Sequence, residues 1–255
     1  MIEKACIIFQ YLYFWGLIKK QIKNYIMKQF ILVLLIGLTF SVFAQEEKTA
    51  VDYNNEGNEF VRNKDFKSAY ESYTKAIELY EAEGKVDTNL IYNTGYCAYK
   101  TKKYDEALSY LEKSIEFEYK KAKPYIYVAQ VKNKKKDYAG MEAILTSGLE
   151  KYATDKNLLK LMGSCYLKQG LVFYNEGNKI KKAANDSGLN VSDPDSFKAE
   201  YAKANSKFQE ALPLFEKSYK YSPKNKSTLK ALNNIYTTLE MADKADQIKT
   251  ELDAL

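Results

Sequence analysis

The feature that most constrains the fold of this chain is a pattern of small and apolar residues that repeats about every 34 positions. In each copy, a small residue is followed 12 positions later by alanine or, once, by methionine. The pairs are Gly57 and Ala69, Gly95 and Ala107, and Ala129 and Met141. Successive small residues lie 38, 34 and 34 positions apart, and the last step ends at Gly163. This period predicts stacked helical hairpins, because a unit of two helices buries its apolar face only against its neighbours.

Larger apolar residues recur at fixed distances from these small residues. Tyr53, Ile91 and Tyr125 each precede the small residue by four positions, and Tyr73, Leu111 and Leu145 each follow the alanine-type residue by four. The pattern resembles the tetratricopeptide repeat, W-x-x-L-G-x-x-Y followed by A-x-x-x-F and P, over most of residues 50–255. Tyrosine, isoleucine or leucine replaces the usual tryptophan, and only the fourth repeat ends with its proline, Pro223. The resemblance implies an all-α fold, a right-handed α-solenoid of about five hairpins.

The fourth repeat is longer than the others. The repeats are expected over residues 50–83, 88–121, 122–155, 156–223 and 226–255, the last of which caps the array. Gly163 and Ala211 are 48 positions apart where 12 are expected, so the fourth repeat contains 36 additional residues. Helical periodicity over residues 158–184, a polar link and a second helix from about Ser196 to Tyr221 predict a long hairpin that projects beyond its neighbours.

The first 44 residues have the pattern of a secretory signal peptide. A short basic start at Met27 to Gln29 precedes the apolar stretch Phe30 to Phe40 and the small-residue ending Ser41 to Ala44. We expect translation to start at Met27 and cleavage to follow Ala44, which leaves a periplasmic or otherwise exported protein without an integral membrane span. No cysteine follows that site for attachment of a lipid. For residues 1–26, the alternative is that the two apolar stretches form a membrane anchor.

Charge and composition argue against several classes of function. The formal charge is +6, but residues 45–255 contain 34 basic and 32 acidic residues and a single arginine, Arg62, so we expect no nucleic-acid partner. There is no histidine. Cys97 and Cys165 lie in apolar helical patterns without C-x-x-C spacing, which indicates buried thiols. No phosphate-binding loop, nucleophile elbow or metal-ligand spacing is present, and we expect no enzymatic activity, cofactor or metal.

In a solenoid of this kind the first helices line a concave face, and that face is the expected binding site for a protein or peptide. Amides, tyrosines and cations suit it because they bond to peptide groups and carboxylates. Counting along the repeats places the following residues there: Asn54, Asn58, Arg62, Tyr92, Tyr96, Tyr99, Lys100, Gln130, Asn133, Lys134, Lys160, Ser164 and Lys168. The sequence therefore predicts a non-catalytic scaffold or adaptor in the cell envelope.

Two resemblances bear on the type of partner. Tetratricopeptide adaptors of heat-shock chaperones hold a C-terminal carboxylate with five side chains. Asn58, Asn93 and Lys123 match three of them, but Asn54 and Tyr127 replace a lysine and an arginine. Because two of the five differ and the protein is expected outside the cytoplasm, we do not expect a heat-shock chaperone as the partner. The long hairpin and the C-terminal repeats resemble exported tetratricopeptide proteins of Bacteroidetes, which implies a periplasmic binding protein. The alternative function is a structural or oligomerisation subunit, in which residues 158–221 form an arm for a homo-oligomer or an envelope complex.

Overall fold

The structure is a computed structural model that describes residues 14–29 and 47–255. The chain divides into two compact units, residues 1–49 and 50–255. In the first unit, residues 14–29 form an exposed helix, α1. The apolar stretch of the expected signal peptide and its cleavage site after Ala44 lie outside the described residues. Among the residues that are described, no helix is both long enough and apolar enough to cross a membrane.

The second unit consists of paired helices, and the prediction of an all-α repeat fold is confirmed. Hairpin 1 is α2 (Ala50–Arg62) and α3 (Phe66–Ala82), hairpin 2 is α4 (Thr88–Lys100) and α5 (Tyr104–Glu116), and hairpin 3 is α6 (Ala122–Lys134) and α7 (Tyr138–Lys151). Hairpin 4 is α8 (Lys156–Asp186) and α10 (Pro194–Tyr221), joined through the short α9 (Leu189–Ser192). Hairpin 5 is α11 (Lys226–Thr238) and α12 (Ala242–Asp253). Over residues 47–255 there is no β-strand.

Four of these hairpins turn in the same way between their two helices. One residue of each turn adopts a left-handed conformation: Lys64 (φ 61°), Lys102 (φ 63°), Lys136 (φ 59°) and Glu240 (φ 59°). The N–H of the next residue donates to the carbonyl five positions earlier, as from Lys103 to Ala98 at 2.9 Å. This arrangement satisfies a carbonyl that the helix end leaves unpaired. The repeated geometry shows that hairpins 1, 2, 3 and 5 are structurally equivalent units.

Side chains at equivalent positions of the second helices fill the core. Tyr73, Leu111, Leu145 and Phe215 are all less than 2% exposed. Each packs against the first helix of its own hairpin, where only a small residue fits. A Cβ atom placed on Gly95, for example, would lie 2.9 Å from Cγ of Leu111. In hairpins 1 and 2 the small residue of the first helix therefore contacts the large residue that follows the alanine of the second helix by four positions.

Hairpin 4 is held together by a line of small residues along α8. Gly163, Gly170, Gly177 and Ala184 recur at every seventh position, and all four are buried. Phe208 and Phe215 of α10 lie against Gly177 and Gly170, respectively. A period of seven keeps one face of a helix directed at its partner, so this line allows α8 and α10 to pack closely over much of their length.

The base of hairpin 4 is tied to both of its neighbours. The Ser218 hydroxyl, fully buried, donates to the carbonyl of Gly163 at 2.8 Å and lies 2.9 Å from the Thr228 hydroxyl of α11. Tyr166 of α8 donates to Glu142 of α7 at 2.8 Å. The lower half of the long hairpin therefore belongs to the stack, and the 36 additional residues extend it from there.

Candidate functional site

The candidate site is the side of the stack formed by the first helices. Helix α4 contacts α6, and α6 contacts α8, whereas the second helices of hairpins 1 to 3, as far as the chain is described, make no contacts of similar extent with one another. From hairpin 2 to hairpin 4 the first-helix side is therefore the more closely packed side, and the sequence predicts that it is the concave one. We call the exposed faces of α2, α4, α6 and the first part of α8, residues 156–169, the groove.

The thirteen residues expected in the groove differ in how accessible the structure leaves them. Arg62, Lys100, Lys134 and Lys160 are exposed. Half-buried side chains are those of Asn54, Asn58, Tyr96, Tyr99, Gln130, Asn133, Ser164 and Lys168. Tyr92 is only 8% exposed and packs in the core between hairpins 2 and 3. The groove therefore presents four exposed cations beside half-buried amides and tyrosines.

A cluster of tyrosines occupies the wall between hairpins 2 and 3. The ring of Tyr127 lies 5.2 Å from that of Tyr96, 5.3 Å from that of Tyr99 and 6.4 Å from that of Tyr92. Phe66 adds an edge-to-face contact with Tyr96 at 5.8 Å, and Lys100 lies 5.0 Å from the centre of the Phe66 ring. Counting along the repeat did not place Tyr127 in the groove. The cluster fixes this part of the groove as a rigid aromatic surface.

Burial raises the pKa values of three tyrosines of this cluster. The pKa of Tyr127, and likewise that of Tyr99, lies above its ordinary value, first because of desolvation and then because of neighbouring tyrosines. The pKa of Tyr92 is raised for the same reasons. Phenols that are harder to ionise stay neutral at physiological pH and keep their O–H groups as hydrogen-bond donors.

Next to this cluster, a cleft of about 410 Å³ opens between α6 and α8. Its lining combines cations, amides and apolar side chains: Lys123, Ile126, Tyr127, Gln130, Asn157, Lys160 and Leu161. Only Gln130 and Lys160 were expected in the groove from the sequence. The other five lie on the same two helices, within two turns of Gln130 or Lys160, and their convergence depends on how α6 and α8 pack. The cleft is suited to a side chain with an apolar part and an acceptor group.

Some of the polar groups in the groove already have partners within the protein. The Asn58 side-chain oxygen accepts a hydrogen bond from the Tyr73 hydroxyl at 2.9 Å, which ties it to the core. The side-chain oxygens of Asn54 and Asn133 are buried without a hydrogen-bond partner among the described residues. A buried acceptor left in this state costs about 1 to 3 kcal/mol. A third such acceptor, the side-chain oxygen of Asn205, lies on α10, outside the groove.

The acidic side chains and the thiols of the described part of the chain bear on metal binding and on thiol reactivity. Among the residues that the structure describes, no cluster of three or more histidine, cysteine, aspartate or glutamate side chains is placed to hold a metal ion. Cys97 and Cys165 are both buried and unpaired, as the sequence indicated. Burial raises the pKa of the Cys97 thiol to about 12, which makes it a poor nucleophile at neutral pH.

The chain is similar to solved structures of helical-repeat proteins. A TPR repeats protein from Bacteroides fragilis NCTC 9343 is 22% identical, with 80% of this chain and 99% of that chain covered, at a TM-score of 0.39. YrrB, a TPR protein with an unusual peptide-binding site, is 18% identical, with 85% of this chain and 96% of that chain covered, at a TM-score of 0.46. MamA from Desulfovibrio magneticus RS-1 is 12% identical, with 82% of this chain and 93% of that chain covered, at a TM-score of 0.47. No protein-family model and no curated protein matches the sequence.

At these identities the likeness concerns the fold alone. The class of protein follows from the molecule itself: consecutive helical hairpins, with a shared turn and with small and large residues at equivalent positions. The chain has a tetratricopeptide-like fold, a helical-repeat solenoid.

Proposed function

We propose that this protein is a non-catalytic scaffold of the cell envelope that holds a segment of a partner protein in its groove. The observation that carries the proposal is the composition of the groove wall, where exposed cations stand beside half-buried amides and tyrosines. Amide and phenol groups bond to a peptide backbone, and rigid tyrosine rings contribute contact area at low entropic cost.

Photocrosslinking at defined positions tests the groove as the binding surface. A photoreactive residue is placed at Tyr96, Gln130 or Lys134 in the full chain, and as controls at Glu106 and Glu150, which are both on second helices. In cells of the source organism, the three groove positions are expected to crosslink the same polypeptide and the two controls are not. If the controls capture that polypeptide as efficiently as the groove positions, the groove is not the binding surface.

The envelope location is a separate part of the proposal and rests on the signal-peptide pattern of residues 27–44. N-terminal sequencing of the protein isolated from cells is expected to begin at Gln45. Cell fractionation is expected to recover the protein with the envelope. Recovery from the cytoplasm with an N-terminus at Met1 or Met27 would contradict export while leaving the groove proposal intact.

A further inference from the structure

Charge is divided unequally between the two sides of the first hairpins. Helices α4 and α6 and residues 156–169 together contain seven lysines and no aspartate or glutamate. The second helices α3, α5 and α7 contain nine acidic residues and four lysines. Helix α2, at the other end of the groove, contains three acidic residues and Arg62. The near-neutral charge of the body therefore includes a basic part of the groove, formed by α4, α6 and the first part of α8, and an acidic opposite side.

The lysines of the groove are also left without acidic partners. Lys132 pairs with Asp137 at 3.4 Å, but the other six of the seven lysines form no ion pair with any described residue. Lysines elsewhere do pair, as Lys135 does with Asp105 and Lys151 with Glu118 at 2.8 Å. The aspartates at the starts of α4 and α8, Asp87 and Asp155, already accept hydrogen bonds from backbone N–H groups.

Two of the unpaired lysines belong to the cleft between α6 and α8. Lys123 and Lys160, both exposed, lie on its wall with Ile126 and Leu161, which supply apolar surface. Amides from Gln130 and Asn157 complete the lining. Such a site favours a carboxylate beside an aliphatic side chain, because the cations attract the charge and the apolar surface covers the hydrocarbon.

We infer that the partner segment is acidic and that it seats an aliphatic residue and an adjacent carboxylate in the cleft between Lys123 and Lys160. This inference rests on the groove function proposed above and specifies the chemistry of its partner. A polypeptide fits better than a nucleic acid. The cations are spaced by a helix layer, about 8 to 10 Å, and alternate with amides, whereas phosphate binding needs a concentrated basic face.

Peptide titration tests the inference. A fluorescent synthetic peptide of alternating glutamate and leucine is compared with the same peptide carrying glutamine in place of glutamate. The full-length protein is expected to bind the glutamate peptide at least about tenfold more tightly at low salt, and added salt is expected to weaken that binding. Equal affinity for the two peptides would overturn the inference.

Paired variants locate the effect. Lys123→Gln with Lys160→Gln is expected to weaken binding of the glutamate peptide by about fivefold to tenfold, because two charge contacts are lost. Lys67→Gln with Lys113→Gln, both exposed on second helices, removes the same charge and is expected to change affinity less than twofold. Equal losses in the two double variants would show a net-charge effect and overturn the site. Circular dichroism confirms that both variants are folded.

Two further outcomes separate this inference from the function on which it rests. If groove positions crosslink a polypeptide in cells but the lysine variants do not reduce that crosslinking, the groove function stands and the acidic-partner inference falls. Single-stranded DNA is also tested as a competitor of the glutamate peptide at an equal concentration of charges. If DNA competes, and if its binding depends on Lys123 and Lys160 as strongly as peptide binding does, the inference of an acidic polypeptide is overturned in favour of a nucleic-acid ligand.

Discussion

At the residue scale, burial controls the chemistry of the two thiols of the repeat array. Cys97 and Cys165 are fully buried at corresponding places of hairpins 2 and 4. Burial raises the pKa of Cys97 to about 12 and that of Cys165 to about 11, from an ordinary value of 9.0. A thiol held in this way remains protonated and unreactive at neutral pH. Both cysteines therefore pack in the core as small apolar residues of the first helices of hairpins 2 and 4.

The raised pKa of Cys97 predicts a specific pH dependence of stability. Because the folded pKa lies above the unfolded one, the thiol's contribution is intact below pH 9.0 and is lost as pH rises toward about 12. In that window the slope of the unfolding free energy against pH is expected to be less negative in Cys97→Ala, by up to about 1.4 kcal/mol per pH unit. Urea titrations at several pH values measure the slope. Ser109→Ala changes an exposed residue that does not titrate, and this control is expected to show the wild-type slope. A Cys97→Ala slope identical to that of the wild type would contradict the prediction.

At the scale of elements, the line of small residues on α8 determines how closely the long hairpin packs. A Cβ atom on Gly177 would lie 2.9 Å from Cε1 of Phe208 and 3.1 Å from the carbonyl oxygen of Ala204. Glycine to alanine inside a helix normally stabilises it by about 1 kcal/mol. Here the added methyl group meets a fully buried ring and a backbone atom, neither of which can move freely.

Gly177→Ala is therefore expected to lower the free energy of unfolding by about 1 to 2 kcal/mol, as overpacking does. Chemical denaturation followed by circular dichroism gives the value. Lys179→Ala, at an exposed position of the same helix, is the matched control and is expected to change stability by less than about 0.5 kcal/mol. A gain in stability for Gly177→Ala would show that α8 and α10 are not in close contact at this level.

Comparison of single elements shows how far the sequence could predict this molecule. The repeat pattern places Gly95 on the first helix and Leu111 on the second helix of hairpin 2, and these two residues are in contact, because packing within one hairpin depends only on neighbouring helices. The first helix of hairpin 4 was expected over residues 158–184 and runs from Lys156 to Asp186. The groove was predicted less completely. Lys123 and Tyr127 reach it because of how successive hairpins stack, and a count within one repeat does not contain that geometry.

The same reasoning explains why Tyr92 differs from the other expected groove residues. It occupies a groove position by count, but the rings of Tyr127 and Tyr119 cover it at 6.4 and 5.9 Å. Both belong to the chain that follows hairpin 2, so the burial of Tyr92 is a property of the stack. Periodicity thus predicts which face of a helix is turned toward its partner, and inter-repeat packing decides which residues of the opposite face remain accessible.

At the scale of the whole repeat array, the outer half of the long hairpin projects beyond the stack and does not contribute residues to the groove. Its side chains bond mainly to each other: the Tyr201 hydroxyl donates to Asn185 at 2.6 Å, and the Tyr201 ring lies 4.5 Å from that of Phe197. Contacts with hairpin 5 begin nearer the base, where Phe208, Phe215 and residues of α11 share one core cluster. Repeat arrays are stabilised by contacts between neighbouring repeats. A segment without such contacts therefore contributes little to the stability of the other repeats.

Removal of residues 181–203, with a short Gly-Ser linker joining the two helices, is therefore expected to leave the array folded. Under the proposed function, the variant binds the glutamate-leucine peptide within about twofold of wild type, because Lys123 is on α6 and Lys160 is near the start of α8, away from the removed outer half. Light scattering is expected to give the same number of chains per particle before and after the deletion. A change from dimer to monomer with unchanged peptide binding would identify the outer hairpin as an oligomerisation arm. Loss of peptide binding in a folded variant would instead show that the partner segment extends from the groove onto the hairpin.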